Sequence, residues 1–143
     1  MCVGGTDLTL HEKRFIQAVL RRYPLFKKEL AQLEVQRQEL AQSFPAATWE
    51  NRVSSQTALT DPTAKAAFRL IRLQEQWAKV NFYVQAVEDV LAVLQTERRR
   101  LVELKYFKGN SQFEIENQLS MSQSTLYRLE KEILMVFAHR LGI

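Results

Sequence analysis

The sequence predicts an all-α protein: N-terminal helices and a long heptad-patterned helix forming a helical hairpin or an oligomeric bundle, followed by a C-terminal helix-turn-helix. Three observations point there. Helix-forming Ala, Leu, Gln, Glu, Arg and Lys dominate, and only four Gly and three Pro are present, too few for a turn-rich β fold. Apolar residues recur at alternating spacings of four and three from Ala66 to Leu94. The stretch Ser111 to Arg128 reads as two capped helices around a short break.

Residues 1–8 (MCVGGTDL) hold two of the four glycines and read as a frayed end. Thr9 is placed to cap a helix, with Glu12 at the capping-box position. Phe15, Ile16, Val19, Leu20 and Tyr23 then recur at helical spacing. Pro24 restricts Tyr23 and fits the first turn of a second helix, so a break is expected there. That second helix carries a seam of Phe26, Leu30, Leu33, Arg37 and Leu40. Arg37 either snorkels at the edge of the seam or sets the register of a coiled coil.

Residues 43–61 break the pattern with Pro45 and a polar run from Asn51 to Thr57, and predict a long surface loop. Trp49 within it either pins the loop to the helices or meets a partner. Asp61-Pro62 reads as an N-cap and a first helical residue. The next helix places Ala66, Leu70, Leu73, Trp77, Val80, Val84, Val87, Leu91 and Leu94 on one seam. At 1.5 Å per residue, Pro62 to Leu94 would extend roughly 50 Å. Phe68, Ile71, Phe82, Tyr83 and Val90 widen its apolar surface. The seam therefore packs on the Phe26–Leu40 stripe or on a second copy of itself, and a homo-oligomer through Ala66–Leu94 is expected. Thr96 caps a fresh helix, or the long helix bends there. Leu101, Leu104, Tyr106 and Phe107 come next, and Gly109 ends the segment as a C-cap, with Asn110 extending the turn. The expected domains are 1–95, for hairpin formation or oligomerisation with the loop 43–61, and 96–143, for DNA binding.

In the last domain Ser111 caps a short helix with Glu114 completing a capping box, Leu119-Ser120-Met121 forms the turn, and Ser122 caps a final helix from about Gln123 to Arg140. Ile115, Leu119, Leu126, Leu129 and Ile133 supply the apolar contact between the two helices. Leu104 and Phe107 close that core, Met121 fills the turn, and Val136 and Phe137 continue the inner side of the last helix. This leaves Gln123, Ser124, Thr125, Tyr127, Arg128 and Lys131 to face outward near the start of that helix. The start of a recognition helix approaches base edges, where Arg suits guanine, Gln suits adenine, and Ser or Thr serves bases or phosphates. Ser111 and Ser122 sit at helix N-termini, which favour a phosphate. The run Arg98, Arg99 and Arg100, with Lys105 and Lys108, would add contacts to the DNA backbone. Glu114, Glu116, Glu130 and Glu132 dilute this basic footprint.

The totals agree with a polyanionic partner without requiring one. Net charge is +4 with a pI of about 9.4. The excess lies at both ends: residues 1–42 and 96–143 are each +2, and residues 43–95 are neutral. Cys2 is the only cysteine, which excludes a disulfide scaffold. No apolar run approaches a membrane span, and charges at Asp7, Glu12, Lys13 and Arg14 fall where a signal peptide needs apolar residues, so a cytoplasmic protein with no membrane partner is expected. An enzyme is not expected. His11 and His139 lie near opposite ends, metal-ligand spacings and phosphate-binding glycine patterns are absent, and the adjacent acids Glu88 and Asp89 cannot face each other on a helix. No cofactor or metal is expected.

RRRLVELKYFKGNSQFEIENQLSMSQSTLYRLEKEIL resembles the fourth region of bacterial sigma factors. The matching positions include Leu104, Tyr106, Phe107, Gly109, Ser111, Glu114, Ile115, Leu119, Ser122, Thr125 and Arg128. Glu116 stands where a small residue is usual, which implies a wider crossing or a side chain that escapes to solvent. Ser120 stands where glycine is usual, which implies a turn outside the left-handed region. The chain lacks any likeness to the sigma segment that melts promoter DNA. The order of its parts, Tyr23-Pro24-Leu25-Phe26-Lys27-Lys28-Glu29-Leu30, then Asp61-Pro62-Thr63, then Leu104 to Leu129, is similar to phage transcriptional regulators of the RinA/ArpU type. That resemblance runs from Tyr23 to Leu129. It implies a sequence-specific activator of late phage genes for packaging and virion structure, bound to double-stranded DNA in the cytoplasm of a bacterial host. Two alternatives stay open: a DNA-binding packaging component of the small-terminase type, and an interaction protein whose sigma-like motif binds RNA polymerase.

Overall fold

The computed structural model describes residues 7–42 and 62–143. The expectations for Cys2, the loop 43–61, Trp49 and the Asp61 cap lie outside the described residues. The described residues hold five α-helices, a π-helical turn and no strand, so the fold is all-α. The helices are α1 (Leu10–Gln42), α2 (Pro62–Val93), α3 (Thr96–Val102), α4 (Gln112–Leu119) and α5 (Gln123–Leu141), and the π-turn Glu103–Phe107 continues α3. The chain divides into two compact units, one of Met1–Leu25 with Tyr83–Ile143 and the other of Phe26–Phe82.

The helix ends obey local chemistry. At the start of α1 the Thr9 hydroxyl accepts from the Glu12 amide at 3.1 Å, and the Glu12 carboxylate accepts from the Thr9 amide at 2.9 Å. α1 does not break at Pro24. It runs through to Gln42 with the proline inside it. A proline in a helix interior removes one hydrogen bond and crowds the carbonyl four residues back, here that of Leu20. The helix persists because its neighbours are held by packing: Leu20 and Tyr23 are buried, and Tyr23 is tied to both Phe107 and Glu88. Tertiary burial overrides the local preference.

In the first unit Ile16, Val19 and Leu20 of α1 and Val84, Val87 and Val90 of α2 are buried with the apolar faces of α3 and α5. Tyr23 stacks on Phe107 with ring centroids 4.9 Å apart and donates to the Glu88 carboxylate at 2.8 Å. Burial first, then that carboxylate, raises the Tyr23 pKa above its ordinary range. Phe15 meets Tyr83 edge-on at 6.3 Å. Asp89 accepts from the Arg140 guanidinium at 2.9 and 3.1 Å, so Glu88 and Asp89 serve different partners.

In the second unit Leu33, Ala64, Ala67 and Val80 are buried. The expected seam of α2 is only half-buried at Ala66, Leu70, Leu73 and Trp77. Arg37 lies over the Trp77 ring at 4.6 Å and pairs with Glu34 one turn back at 2.9 Å. Its stem and planar head thus cover an aromatic edge, the snorkelling arrangement. Gln76 donates to Glu29 at 3.3 Å. Phe68 and Ile71 of α2 and Val35 of α1 remain exposed.

α2 ends at Val93, and α3 begins at Thr96 with Gln95 in the N-cap position and no side-chain cap bond, so Thr96 is the first helical residue and not the cap. The carbonyls left at the end of α2 have another partner. The Arg99 guanidinium donates to the carbonyls of Leu91 at 3.0 Å and Leu94 at 3.2 Å. The π-turn comes next, with the Lys108 amide donating to the Glu103 carbonyl at 2.9 Å. Gly109 then takes φ +71°, where a side chain would be strained, and the Asn110 amide returns to the Leu104 carbonyl at 2.8 Å.

Candidate nucleic-acid interface

The candidate surface is built on two capped helices. Ser111 caps α4 through a full capping box: its hydroxyl accepts from the Glu114 amide at 3.2 Å and its amide donates to the Glu114 carboxylate at 2.8 Å. Those two bonds lower the Glu114 pKa. α4 ends at Ser120, which has φ 53° and ψ 45°. The turn is therefore left-handed although serine stands there, contrary to the expectation from the missing glycine. The amides of Ser120 and Met121 both return to the Glu116 carbonyl, and this closure fixes the conformation. Serine accepts some αL strain to make that closure. The Glu116 side chain is half-buried.

Ser122 caps α5, its hydroxyl accepting from the Thr125 amide at 3.3 Å. The same hydroxyl meets those of Ser124 at 3.2 Å and Thr125 at 3.0 Å. Ile115, Leu126, Leu129 and Ile133 are buried, so apolar residues lie where the short helix and the long one meet. Leu119 and Met121 are half-buried. Further along α5, Val136 is 39% exposed rather than inside. Leu134, Phe137 and Ala138 hold the inner positions, because the buried arc of the helix extends toward Glu130 and Leu134 and away from Val136.

The opposite face of α5 is open. Gln123, Ser124, Tyr127, Arg128 and Lys131 are exposed, and Thr125 is half-buried by the cap. Ser111, Ser122 and Lys108 are exposed as well. Arg98 and Arg99 are otherwise engaged. Arg98 donates to Glu132 of α5 at 2.6 Å and to Gln95 at 2.7 Å, and Arg99 holds the end of α2.

Sequence reasoning missed what becomes of the acidic residues in this region. Glu130 is buried, 8% exposed, and its carboxylate pairs with the Lys105 ammonium. Tyr106 lies beside this pair. Its hydroxyl accepts from Gln17 of α1 at 3.3 Å, and Arg21 lies over its ring at 5.5 Å. Burial first, then the Glu130 carboxylate, push the Tyr106 pKa above its ordinary range. Glu114 is used in its cap and Glu132 by Arg98. Three of the four acids that dilute the basic count along the sequence, Glu114, Glu130 and Glu132, are thus folded into a cap and two pairs. The helical period of α5 could have signalled Glu130, which falls between Leu126 and Ile133 on the inner arc.

Sequence reasoning also missed the start of α1. The Lys13 ammonium lies 5.7 Å from the centre of the Tyr127 ring, and the Asp7 carboxylate lies 3.8 Å from Lys131. No local pattern could have signalled contacts between segments so far apart in the chain. Among the described residues no group of His, Cys, Asp and Glu is placed to hold a metal ion, and no helix is long and apolar enough to cross a membrane. No family model, curated protein or solved structure matches the chain.

Proposed function

We propose that this chain is a sequence-specific transcriptional regulator that lays α5 in the major groove of double-stranded DNA. One observation carries the reading: the first two turns of α5 bury Leu126 and Leu129 and present Gln123, Ser124, Tyr127 and Arg128 to solvent. These are side chains suited to base edges and phosphates, on a helix set by a short capped partner. The consumption of Glu114, Glu130 and Glu132 in caps and pairs supports the reading, because it leaves the open face without a free acid among them. The resemblance to sigma region 4 and to the RinA/ArpU-type regulators extends it to activation of late phage genes. The exposed Phe68 and Ile71 on α2 support action as a homo-oligomer, since apolar side chains at helical spacing favour burial against a second copy.

Binding-site selection with the purified chain, at a stated salt concentration, tests this directly. A discrete site should emerge. Replacing Gln123 and Arg128 together by Ala should abolish preference for that site while the helical circular dichroism is kept. Undiminished specific binding by the double variant would remove the assignment.

A further inference from the structure

We infer that the start of α1 forms a second arm of the same surface, with Lys13 contacting the DNA phosphates that flank the groove entered by α5. This rests on the DNA-binding reading of α5. The reasoning is one of dimensions. An α-helix with its side chains is about 10–12 Å across, and the major groove is about 12 Å wide. A recognition helix fills that groove, so whatever flanks it meets the phosphate walls and not the bases.

The segment that flanks α5 on its Tyr127 edge is the start of α1. Lys13 lies over the Tyr127 ring, and a groove of about 350 Å³ separates Leu10 and Lys13 from Tyr127, Lys131 and Leu134. Tyr127 is 65% exposed on the face assigned to DNA. A cation 5.7 Å from that ring therefore stands within a side chain's length of anything the ring touches. Lys13 is a compact point charge on a flexible stem, suited to a phosphate and not to reading a base. The ring contact pre-positions it, and at an exposed site such a contact is weak enough to give way to a phosphate. Asp7 acts in the opposite sense. Its carboxylate 3.8 Å from Lys131 places a negative charge on the same edge, where it opposes phosphate and lowers affinity.

The test measures salt-dependent binding of the full chain to its selected site and to random duplex. Each phosphate neutralised contributes about 0.9 to the slope of log K against log salt. Lys13→Ala should lower that slope by about 0.9 and weaken binding roughly fivefold at about 0.15 M salt, equally on both duplexes. Lys13→Arg should restore slope and affinity, and Asp7→Asn should strengthen binding to both duplexes. The melting temperature of each variant separates charge loss from damage to the fold. If wild type binds its site and Arg128→Ala destroys the preference, but Lys13→Ala leaves slope and affinity unchanged, the arm is refuted and the DNA-reading face stands. If Lys13→Ala instead changes site preference alone, Lys13 reads bases and the phosphate role is overturned. Failure of wild type to bind any duplex overturns both readings.

Discussion

Glu130→Ala tests how α5 is held in place. The carboxylate is buried and faces the Lys105 ammonium, whose side chain keeps 27% of its surface in solvent. Removing one member of a fully buried pair costs about 3–5 kcal/mol, because the other charge is left without compensation. Lys105 can rehydrate in part, so the cost here falls toward that of a charged hydrogen bond, about 1.5–3 kcal/mol. For a chain of this size that corresponds to a fall in melting temperature of roughly 4–12 °C. Replacing both partners, Lys105→Met with Glu130→Leu, removes the stranded charge along with the pair and should recover most of the loss. Urea unfolding followed by circular dichroism, arranged as a double-mutant cycle with the singles Lys105→Met and Glu130→Leu, gives the coupling between the two residues. Glu130→Ala within about 0.5 kcal/mol of wild type, or a double variant as unstable as the sum of the singles, would refute the reasoning.

Three further perturbations have defined outcomes. Ser120→Gly should stabilise the chain by about 0.5–1 kcal/mol, since αL costs serine roughly 1–2 kcal/mol and glycine returns part of that through the entropy of the unfolded chain; an unchanged or lowered melting temperature counts against the strain at this turn. Pro24→Ala should stabilise by about 1–2 kcal/mol by restoring the helical donor and relieving the Leu20 carbonyl; denaturant unfolding that shows a loss instead would mean that the proline ring contributes to packing. Glu114 has a lowered pKa in the fold, so its contribution is present above the ordinary carboxylate value and is lost as pH falls through the lowered one. An NMR titration of its carboxylate should show the depressed midpoint. Glu114→Gln, which can still complete a capping box, should remove that acid dependence while keeping the start of α4.

The features legible in the sequence were local. Thr9 with Glu12, Ser111 with Glu114, and Ser122 before Thr125 each act within three residues, so their caps could be read directly. The left-handed turn at Gly109 was legible for the same reason. The all-α class came from long runs of helix formers at apolar spacings. Contacts between distant segments were not legible. Pro24 signals a break, and only the burial of Leu20 and Tyr23 keeps the helix whole. Ser120 signals an ordinary turn, and only closure onto the Glu116 carbonyl makes it left-handed. Arg99 looked like part of a basic run, yet it holds two carbonyls at the end of another helix. Residues 10–25 share a unit with residues 83–143 through Tyr23, Gln17 and Lys13. Pairings such as Tyr23 with Phe107 leave no trace in the periodicity of either partner.

The π-turn at Glu103–Phe107 bears on how this chain can change over generations. A π-turn holds one residue more than the α-helical turn it replaces. Deleting one residue there would leave the Ser111 and Ser122 caps and the Gly109 turn intact, and it would restore regular helical bonding. It would also rotate α4 and α5 by about 100° relative to Leu101 and Val102. Tyr106 would leave Gln17, and Phe107 would leave Tyr23. A shortened descendant would keep every local signature of the segment and still aim α5 in a new direction. The extra residue thus sets the direction in which α5 is presented, and its loss or gain is a single-codon route to a different one.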